Sequence, residues 1–133
     1  MRISFTGTSH RDLTKRQWGE LLAYLTKHRE EINRIHHGDC INADTQFHAL
    51  VEHLGMRHLV VLHPPRSSKK RAFCSAPISA APAPYLKRNR KLATICDVLL
   101  AAPAQEREIQ RSGTWATIRY ARALGRPVKI FIP

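Results

Sequence analysis

A short run near the end of the chain combines a small-residue turn with hydroxyl and cationic side chains. Ser112, Gly113 and Thr114 follow Arg111 and open an alanine-rich segment of helical spacing that stops at Gly125. Such a turn leaves backbone N–H groups without partners at the positive end of a helix dipole, which suits a phosphate group. Serine and threonine are also favoured as ordinary helix N-caps, so this run alone leaves both interpretations open.

A second run with the same potential follows the first apolar segment of the chain. Gly7, Thr8 and Ser9 offer backbone and hydroxyl donors, and Arg11 adds a positive charge nearby. These residue types suit a phosphate, although a structural turn has the same composition. The run is neither a Walker loop nor a GxGxxG motif, so it does not predict a conventional dinucleotide site.

A basic cluster and a glycine add two further candidate ligand contacts. Arg88, Asn89 and Arg90 place cations around an amide, a combination that suits phosphate or base contacts. The alternative interpretation is a solvated basic helix face. Gly38 permits either a tight turn or a close approach of the backbone to a ligand.

Four carboxylates are the candidates for acid–base chemistry. Asp39 and Asp44 follow the second apolar segment, and Glu106 and Glu108 precede the serine–glycine–threonine turn. A carboxylate there would bind ribose hydroxyls or act as a general base. For Asp44, capping of the following helix is the favoured interpretation, because a carboxylate at that position satisfies backbone donors.

The composition restricts the class of protein and of partner. The chain has 133 residues, which fits one domain, and its 22 Lys+Arg against 10 Asp+Glu give a formal net charge of +12. This excess favours a polyanionic partner, either nucleic acid or a phosphorylated small molecule. An odd number of cysteines without paired spacing predicts a reduced, cytoplasmic setting. No apolar run predicts a membrane span.

The eight histidines form no pairing typical of a metal site, so neither a metal nor another cofactor is expected. Apolar segments alternate with helical patterns along the chain, which predicts an α/β protein. The specific expectation is a single Rossmann-like, three-layer domain over residues 1–133 with a mostly parallel sheet of about five strands. The proline-containing basic segment 66–84 is predicted to be a flexible loop. Polar loops that follow strands then meet at one edge of the sheet.

Four ordered motifs together resemble a known superfamily. They are FTGTSHR at 5–11, HHGDCINAD at 36–44, RNRKLATICDVLLA at 88–101 and the segment 111–133, which begins RSGTWAT and ends GRPVKIFIP. The set resembles the SLOG superfamily, the Rossmann-like fold of DNA-processing protein A and the Lonely Guy proteins. The first two motifs are similar to the YpsA-type branch, and the last two to the DNA-processing proteins.

The resemblance implies a nucleotide-related pocket, and it carries over to ten positions of this chain: Gly7, Thr8, Arg11, Gly38, Asp44, Arg88, Asn89, Ser112, Gly113 and Thr114. Two functions follow as hypotheses. The first is binding of a nucleotide, a nucleotide-derived signal or single-stranded nucleic acid. The second is a nucleotide N-glycosidase of the Lonely Guy kind, with a relocated carboxylate, because Thr117 stands where those enzymes carry their catalytic glutamate. Relatives commonly dimerise beside the pocket, so a homodimer through Trp18 or Trp115 is a further possibility.

Overall fold

The computed structural model of the protein describes residues 1–133 as one α/β unit. In chain order its elements are β1 (Arg2–Gly7), α1 (Lys15–His28), β2 (Arg34–His37), α2 (Ala43–His53), a short 3-10 helix (Arg57–Leu59), β3 (Val60–Leu62), β4 (Ile78–Ser79), α3 (Tyr85–Ile95), β5 (Val98–Ala102), α4 (Gly113–Ala123) and β6 (Val128–Ile130). The α/β, Rossmann-like prediction is confirmed.

The six strands form one sheet in the order β4-β3-β2-β1-β5-β6, and every neighbouring pair is parallel. From β1 the chain first builds the sheet outward through β2, β3 and β4. It then returns and adds β5 and β6 on the other side of β1. The strand order therefore reverses between β1 and β5, which is where parallel α/β sheets bind their ligands.

The sheet has six strands instead of about five because the segment 66–84 contributes an edge strand. Ile78 and Ser79 pair in parallel with Val61 and Leu62 of β3. The two residues of β4 are exposed, so no buried apolar run or alternating pattern marks them in the sequence. The segment is a strand only because its backbone pairs with the neighbouring strand β3.

Alternation along β1 sends its side chains to two different helix layers. Ile3 and Phe5 are completely buried in the larger core with α1 and α2, where the ring of Phe5 stacks on that of Phe47 at 4.1 Å. Ser4 points to the opposite face, and its hydroxyl donates to the carbonyl of Leu92 in α3 at 2.7 Å. Successive strand residues face opposite sides of a sheet, so this single strand defines the three layers.

A capping box at the start of α1 ties the helix to the far end of the chain. The Thr14 hydroxyl accepts from the backbone of Gln17, and the Gln17 side chain accepts from the backbone of Thr14. The buried amide of Gln17 also donates to the carbonyls of Pro103 and Phe131, at 2.8 and 2.9 Å. The side chain of Gln17 therefore both caps α1 and holds the segment after β6.

The second core lies between α3, α4 and β5. Trp115 is 5% exposed there and packs with Ala93 and Ile118, so its ring is buried within its own chain. Trp18 on α1 is 37% exposed. No helix of the protein combines the length and the apolar character that crossing a membrane requires.

The segment 66–84 is hydrogen-bonded to the loop that follows β2. The backbone N–H of Ile41 donates to the carbonyl of Lys70 at 3.0 Å, and that of Ala72 donates to the carbonyl of Asp39 at 2.8 Å. The basic segment therefore lies against the loop that carries two of the candidate site residues.

Candidate anion-binding site

A cavity of about 100 Å³ lies at the point where the strand order reverses. We call it the central cavity; it is lined by Thr6, Gly7, Thr8, Ser9, His10, Cys40, Tyr85, Arg88, Asn89, Ser112, Gly113 and Thr114. These residues come from the ends of β1 and β2 and from the starts of α3 and α4. Eight of the residues expected at a ligand site are thus brought together by the parallel sheet.

The N-terminus of α4 presents free backbone donors to the central cavity. Ser112 is the N-cap, and its hydroxyl accepts from the N–H of Trp115 at 3.2 Å. The carbonyl of Ser112 accepts from Ala116, but the N–H groups of Gly113 and Thr114 have no acceptor in the protein. Both interpretations of this turn are therefore compatible: Ser112 caps the helix while the next two residues leave donors for a ligand.

Arg88 brings a guanidinium to the same cavity, although only 9% of the residue is exposed. Its Nη1 donates to the Gly38 carbonyl at 3.3 Å and to the Cys40 sulfur at 2.9 Å. Its Nη2 donates to the Asn89 side-chain oxygen at 3.2 Å, and the ring of Tyr85 lies 4.8 Å from its Cζ. The Nε–H has no partner. Protein contacts thus hold the guanidinium in place in the cavity wall, and the Nε–H is buried on the side of Gly38.

Asn89 is oriented by Arg88. Because its Oδ1 accepts from Arg88, its Nδ2 carries the remaining donors, and this atom lies 3.8 Å from where a Cβ on Gly113 would stand. The amide therefore adds donors beside the free N–H groups of α4. Residues 88–90 look equivalent in the sequence, but each has different contacts because each points in a different direction from α3.

Gly38 and Asp44 lie behind Arg88 and do not line the cavity. A Cβ on Gly38 would stand 2.9 Å from the Asp44 Oδ2 and 3.2 Å from the Arg88 Cζ, so the glycine is needed for this packing. Asp44 Oδ2 accepts from the N–H of Cys40 at 3.1 Å, and Oδ1 has no partner. Burial raises the pKa of Asp44 to about 7, against the nearby charge of Arg88, which lowers it.

Gly7 lines the central cavity, but its missing Cβ is explained by the protein itself. A Cβ there would stand 2.6 Å from the Cβ of Ala43 at the start of α2. Thr8 and Ser9 follow it in the cavity wall, and the Thr8 hydroxyl accepts from the N–H of His10 at 3.1 Å. The glycine therefore allows the end of β1 to approach α2 closely, which in turn positions these two hydroxyls.

Besides Gly38 and Asp44, the structure places two more expected ligand contacts outside the central cavity. The exposed Arg11 donates from Nη2 to the carbonyl of Ala104 at 2.6 Å, which ties the loop after β1 to the loop after β5. Arg90 points away along α3, and its guanidinium lies 5.5 Å from the ring of Tyr120. Helical spacing explains the second case, because Arg90 is two residues from Arg88 and cannot share its face.

None of the four candidate carboxylates lines the central cavity. The buried Asp39 accepts from Arg71 Nε at 3.2 Å and from the Cys74 N–H at 2.9 Å, so it holds the segment 66–84. Glu106 and Glu108 are exposed beyond β5, and Glu108 lies 3.9 Å from Arg119. Asp44 is buried behind Arg88 and does not line the cavity.

The hydroxyl of Thr117 does not replace a catalytic carboxylate. It donates to the carbonyl of Gly113 one turn back at 2.8 Å, and the residue is completely buried. The position that resembles the glutamate of Lonely Guy enzymes thus holds a side chain that bonds its own helix. The central cavity consequently offers neutral donors and a cation but no negative charge.

Four residues of the central cavity were not predicted as contacts: Thr6, His10, Cys40 and Tyr85. Thr6 and His10 flank the predicted turn at 7–9, and Cys40 lies in the loop that follows β2, so proximity in sequence is a usable signal for these three. Burial raises the pKa of the Cys40 thiol to about 11, which leaves it as a neutral acceptor for Arg88. Tyr85 lies three residues before Arg88 on α3, so helical spacing is the signal that places its ring beside the Arg88 guanidinium.

A cluster of histidines on the α2 side of the sheet forms a hydrogen-bond chain. Nδ1 of His37 accepts from the N–H of Asp39 at 3.0 Å, so its Nε2 carries the proton and donates to His48 Nδ1 at 2.9 Å. His48 then donates to the carbonyl of Ser75 at 3.0 Å. The sulfur of Cys74 lies within 4.8 Å of the two rings. A metal ion would need a lone pair on His37 Nε2, but this nitrogen carries the proton that it donates to His48.

Comparison with solved structures identifies two proteins of the same fold. DNA processing protein A from Helicobacter pylori aligns with 98% of this chain at a TM-score of 0.67 and 13% identity. TM1055, a structural genomics target, aligns with 96% of the chain at a TM-score of 0.65 and 19% identity. The chain spans 64% of the first protein and 72% of the second.

No protein-family model matches the sequence, and no curated protein matches it either. At these identities the two structural similarities concern the fold. They show that the chain shares the Rossmann-like α/β fold of these two proteins, one of which is the DNA processing protein A that two of the sequence motifs resemble.

Proposed function

We propose that the protein binds the phosphoryl group of a nucleotide, of a nucleotide-derived signal or of single-stranded nucleic acid in the central cavity. The observation that carries this proposal is the convergence of the free N–H groups of Gly113 and Thr114 with the guanidinium of Arg88. No carboxylate competes with the ligand there. Backbone donors at a helix N-terminus and a fixed guanidinium are two recurrent means of binding phosphate.

The size of the cavity supports a phosphoryl group as the part of the ligand that enters it. Pockets that enclose a whole small molecule usually measure roughly 300–1,000 Å³, whereas the central cavity measures about 100 Å³. A sugar and a base would then extend over the edge of the sheet. An extended ligand of this kind is compatible with both a nucleotide and a strand.

The charge and the fold give further support for a nucleotide-containing partner. The formal net charge of +12 favours polyanions. DNA processing protein A from Helicobacter pylori, which shares the fold, is described as having a unique mode of binding single-stranded DNA. The N-glycosidase alternative lacks a comparable observation, because Asp39, Asp44, Glu106 and Glu108 all lie outside the cavity.

A pair of substitutions at one residue tests the proposal. Gly113 is the first residue of α4, where proline is well tolerated, and Ser112 already has the extended conformation that precedes proline (φ −101°, ψ 124°). Gly113→Pro therefore removes one N–H donor and keeps the helix, whereas Gly113→Ala keeps the donor. Affinities for nucleoside monophosphates and 5′-phosphorylated oligothymidylates are measured by calorimetry, with unphosphorylated nucleosides as the reference.

We expect Gly113→Pro to weaken binding about tenfold or more and Gly113→Ala to bind like the natural protein, since a hydrogen bond to a charged group contributes about 1.5–3 kcal/mol. Equal affinity of the two variants, or equal affinity for nucleosides with and without phosphate, would overturn the proposal. The dependence on salt then separates the ligand classes, because binding of nucleic acid weakens steeply as salt rises.

A further inference from the structure

A groove of about 450 Å³ runs along α3 beside the central cavity. We call it the α3 groove; Lys87, Arg90, Lys91 and Thr94 line it on one side, and His63 and the segment 80–83 line it on the other. We propose that the α3 groove binds a second phosphoryl group of the same ligand, so that the ligand class carries at least two phosphoryl groups. This inference rests on the proposed function for the position of the first one.

The α3 groove carries positive charge that nothing in the protein compensates. Lys87, Arg90 and Lys91 are exposed, and none of them is in a salt bridge. No aspartate or glutamate lines the groove. Lys87 and Lys91 are four residues apart on one helix, an arrangement in which like charges repel each other. An anion between them relieves this repulsion, which gives the groove a defined preference for negative ligands.

The opposite wall holds a neutral imidazole next to these cations. His63 is 7% exposed, and its Nε2 lies 2.9 Å from Nδ1 of the buried His36. Burial, with smaller contributions from the charges of Lys91 and Arg88, lowers the pKa of His63 to about 4. The other ring nitrogen of His63, Nδ1, has no partner in the protein. When His36 donates to His63 Nε2, this Nδ1 carries a proton and adds a donor for an anion.

Arg88 connects the two sites because it lines both the central cavity and the α3 groove. The residue is only 9% exposed, and hydrogen bonds to Gly38, Cys40 and Asn89 fix its guanidinium between the two sites. The helix then continues the positive charge away from the cavity through Lys87 and Lys91. A ligand with one phosphoryl group on the N–H groups of α4 can therefore extend its next phosphoryl group along α3 without crossing a negatively charged surface.

The test uses a series of ligands that differ in the number of phosphoryl groups: thymidine 5′-monophosphate, thymidine 3′,5′-bisphosphate, and the 5′-phosphorylated thymidine di- and trinucleotides. Affinities are measured at one fixed salt concentration for the natural protein and for Lys87→Gln/Lys91→Gln. The matched control is Lys15→Gln/Lys27→Gln, which removes the same charge from exposed positions of α1. All four lysines are exposed, and circular dichroism checks that each variant is folded.

The natural protein should show a step in affinity of about tenfold or more at the shortest ligand whose second phosphoryl group reaches the groove, as expected for charged hydrogen bonds. Lys87→Gln/Lys91→Gln should lose the step and bind the monophosphate within about twofold of the natural protein, whereas the α1 control should keep the step. Absence of a step in the natural protein, or an equal loss in both variants, would overturn the second site. Failure of the monophosphate and of every longer ligand to bind would instead refute the central cavity as a phosphate site.

Discussion

The guanidinium of Arg88 lies against Gly38, with its Cζ 3.2 Å from the position that a Cβ on this glycine would occupy. The same guanidinium donates to the Gly38 carbonyl, so the glycine both accepts a hydrogen bond from Arg88 and makes room for it. The loop after β2 thus positions a side chain of α3 at the end of β1. Contacts of this kind, between segments fifty residues apart in sequence, determine the site.

Gly38→Ala should displace Arg88 and weaken phosphate binding. The added Cβ would also stand 2.9 Å from Asp44 Oδ2, and overpacking of this kind typically costs about 1–3 kcal/mol of stability. Gly19→Ala is the matched control, because a Cβ on Gly19 meets no atom within 4 Å and alanine is the better helix former. Thermal unfolding and nucleotide titration check both variants. A Gly38→Ala protein with natural stability and affinity would contradict this packing.

Arg88→Lys should lower the affinity for a nucleoside monophosphate about 10- to 100-fold although the charge is kept. A lysine ammonium cannot hold the Gly38 carbonyl, the Cys40 sulfur and the Asn89 oxygen at once while also presenting a donor to the ligand. Arg122→Lys, near the end of α4 on the surface, is the control. If both variants bound equally well, the fixed guanidinium would have no role in recognition.

Acid should destabilise the protein through the His36–His63 pair. The pKa of each is lowered to about 4, by burial first and then by neighbouring positive charges. Their folded-state pKa lies below the unfolded value of 6.5, so the stability is fully present above pH 6.5 and is lost as the pH falls through about 4. Each imidazole of the pair should contribute a loss on the order of 3 kcal/mol between pH 7 and 4, and urea unfolding of the natural protein against His63→Gln measures the share of one imidazole.

His63→Gln should reduce this acid-induced loss, because only one imidazole of the pair then remains to be protonated. His53→Gln, at an exposed position at the end of α2, serves as the comparison and should keep the natural pH dependence. An unchanged pH profile in His63→Gln would show that the acid response originates elsewhere.

Asp44 should have the opposite pH dependence. Burial raises its pKa to about 7, above the ordinary value of 3.8, so its contribution to stability is fully present below pH 3.8 and is lost as the pH rises through about 7. Asp44→Asn removes this titration. The stability of the variant relative to the natural protein should therefore increase between pH 4 and pH 8, and folding of the natural protein should take up on the order of one proton more than the variant near pH 5.5.

Asp12→Asn, which changes an exposed carboxylate, is the control for that measurement. Parallel stability curves for the natural protein and Asp44→Asn across this pH range would mean that Asp44 is ionised as easily in the folded protein as in the unfolded one.

Asp39→Asn should loosen the segment 66–84 without removing the central cavity. The carboxylate of Asp39 is completely buried and accepts from Arg71 and from the Cys74 N–H. The Arg71 side chain is 25% exposed, so losing this charged hydrogen bond should cost about 1.5–3 kcal/mol. Hydrogen exchange at residues 71–75 should become faster, while exchange at the start of α4 stays the same. Equal hydrogen-exchange protection of residues 71–75 in Asp39→Asn and in the natural protein would show that contacts other than those of Asp39 keep this segment ordered.

Several features of the fold were predictable because they depend on local pattern. The alternation of apolar and helical segments predicted the parallel α/β sheet, and the ends of its strands predicted where Gly7, Thr8, Ser9, Ser112, Gly113 and Thr114 would meet. The motif order predicted a fold shared with DNA processing protein A. In a parallel sheet the carboxyl ends of the strands lie at one edge whatever the details of packing, so these features follow from the order of the elements.

Tertiary structure decided which neighbouring residue takes which role. Arg88 lines the central cavity and Arg90 does not, because α3 presents only one face to the sheet edge. Asp39 and Asp44 look alike in the sequence, yet one holds the segment 66–84 and the other is buried behind Arg88. Strand β4 forms only because it pairs with β3. Burial and long-range partners set these outcomes, and neither is encoded in the spacing of residues along the chain.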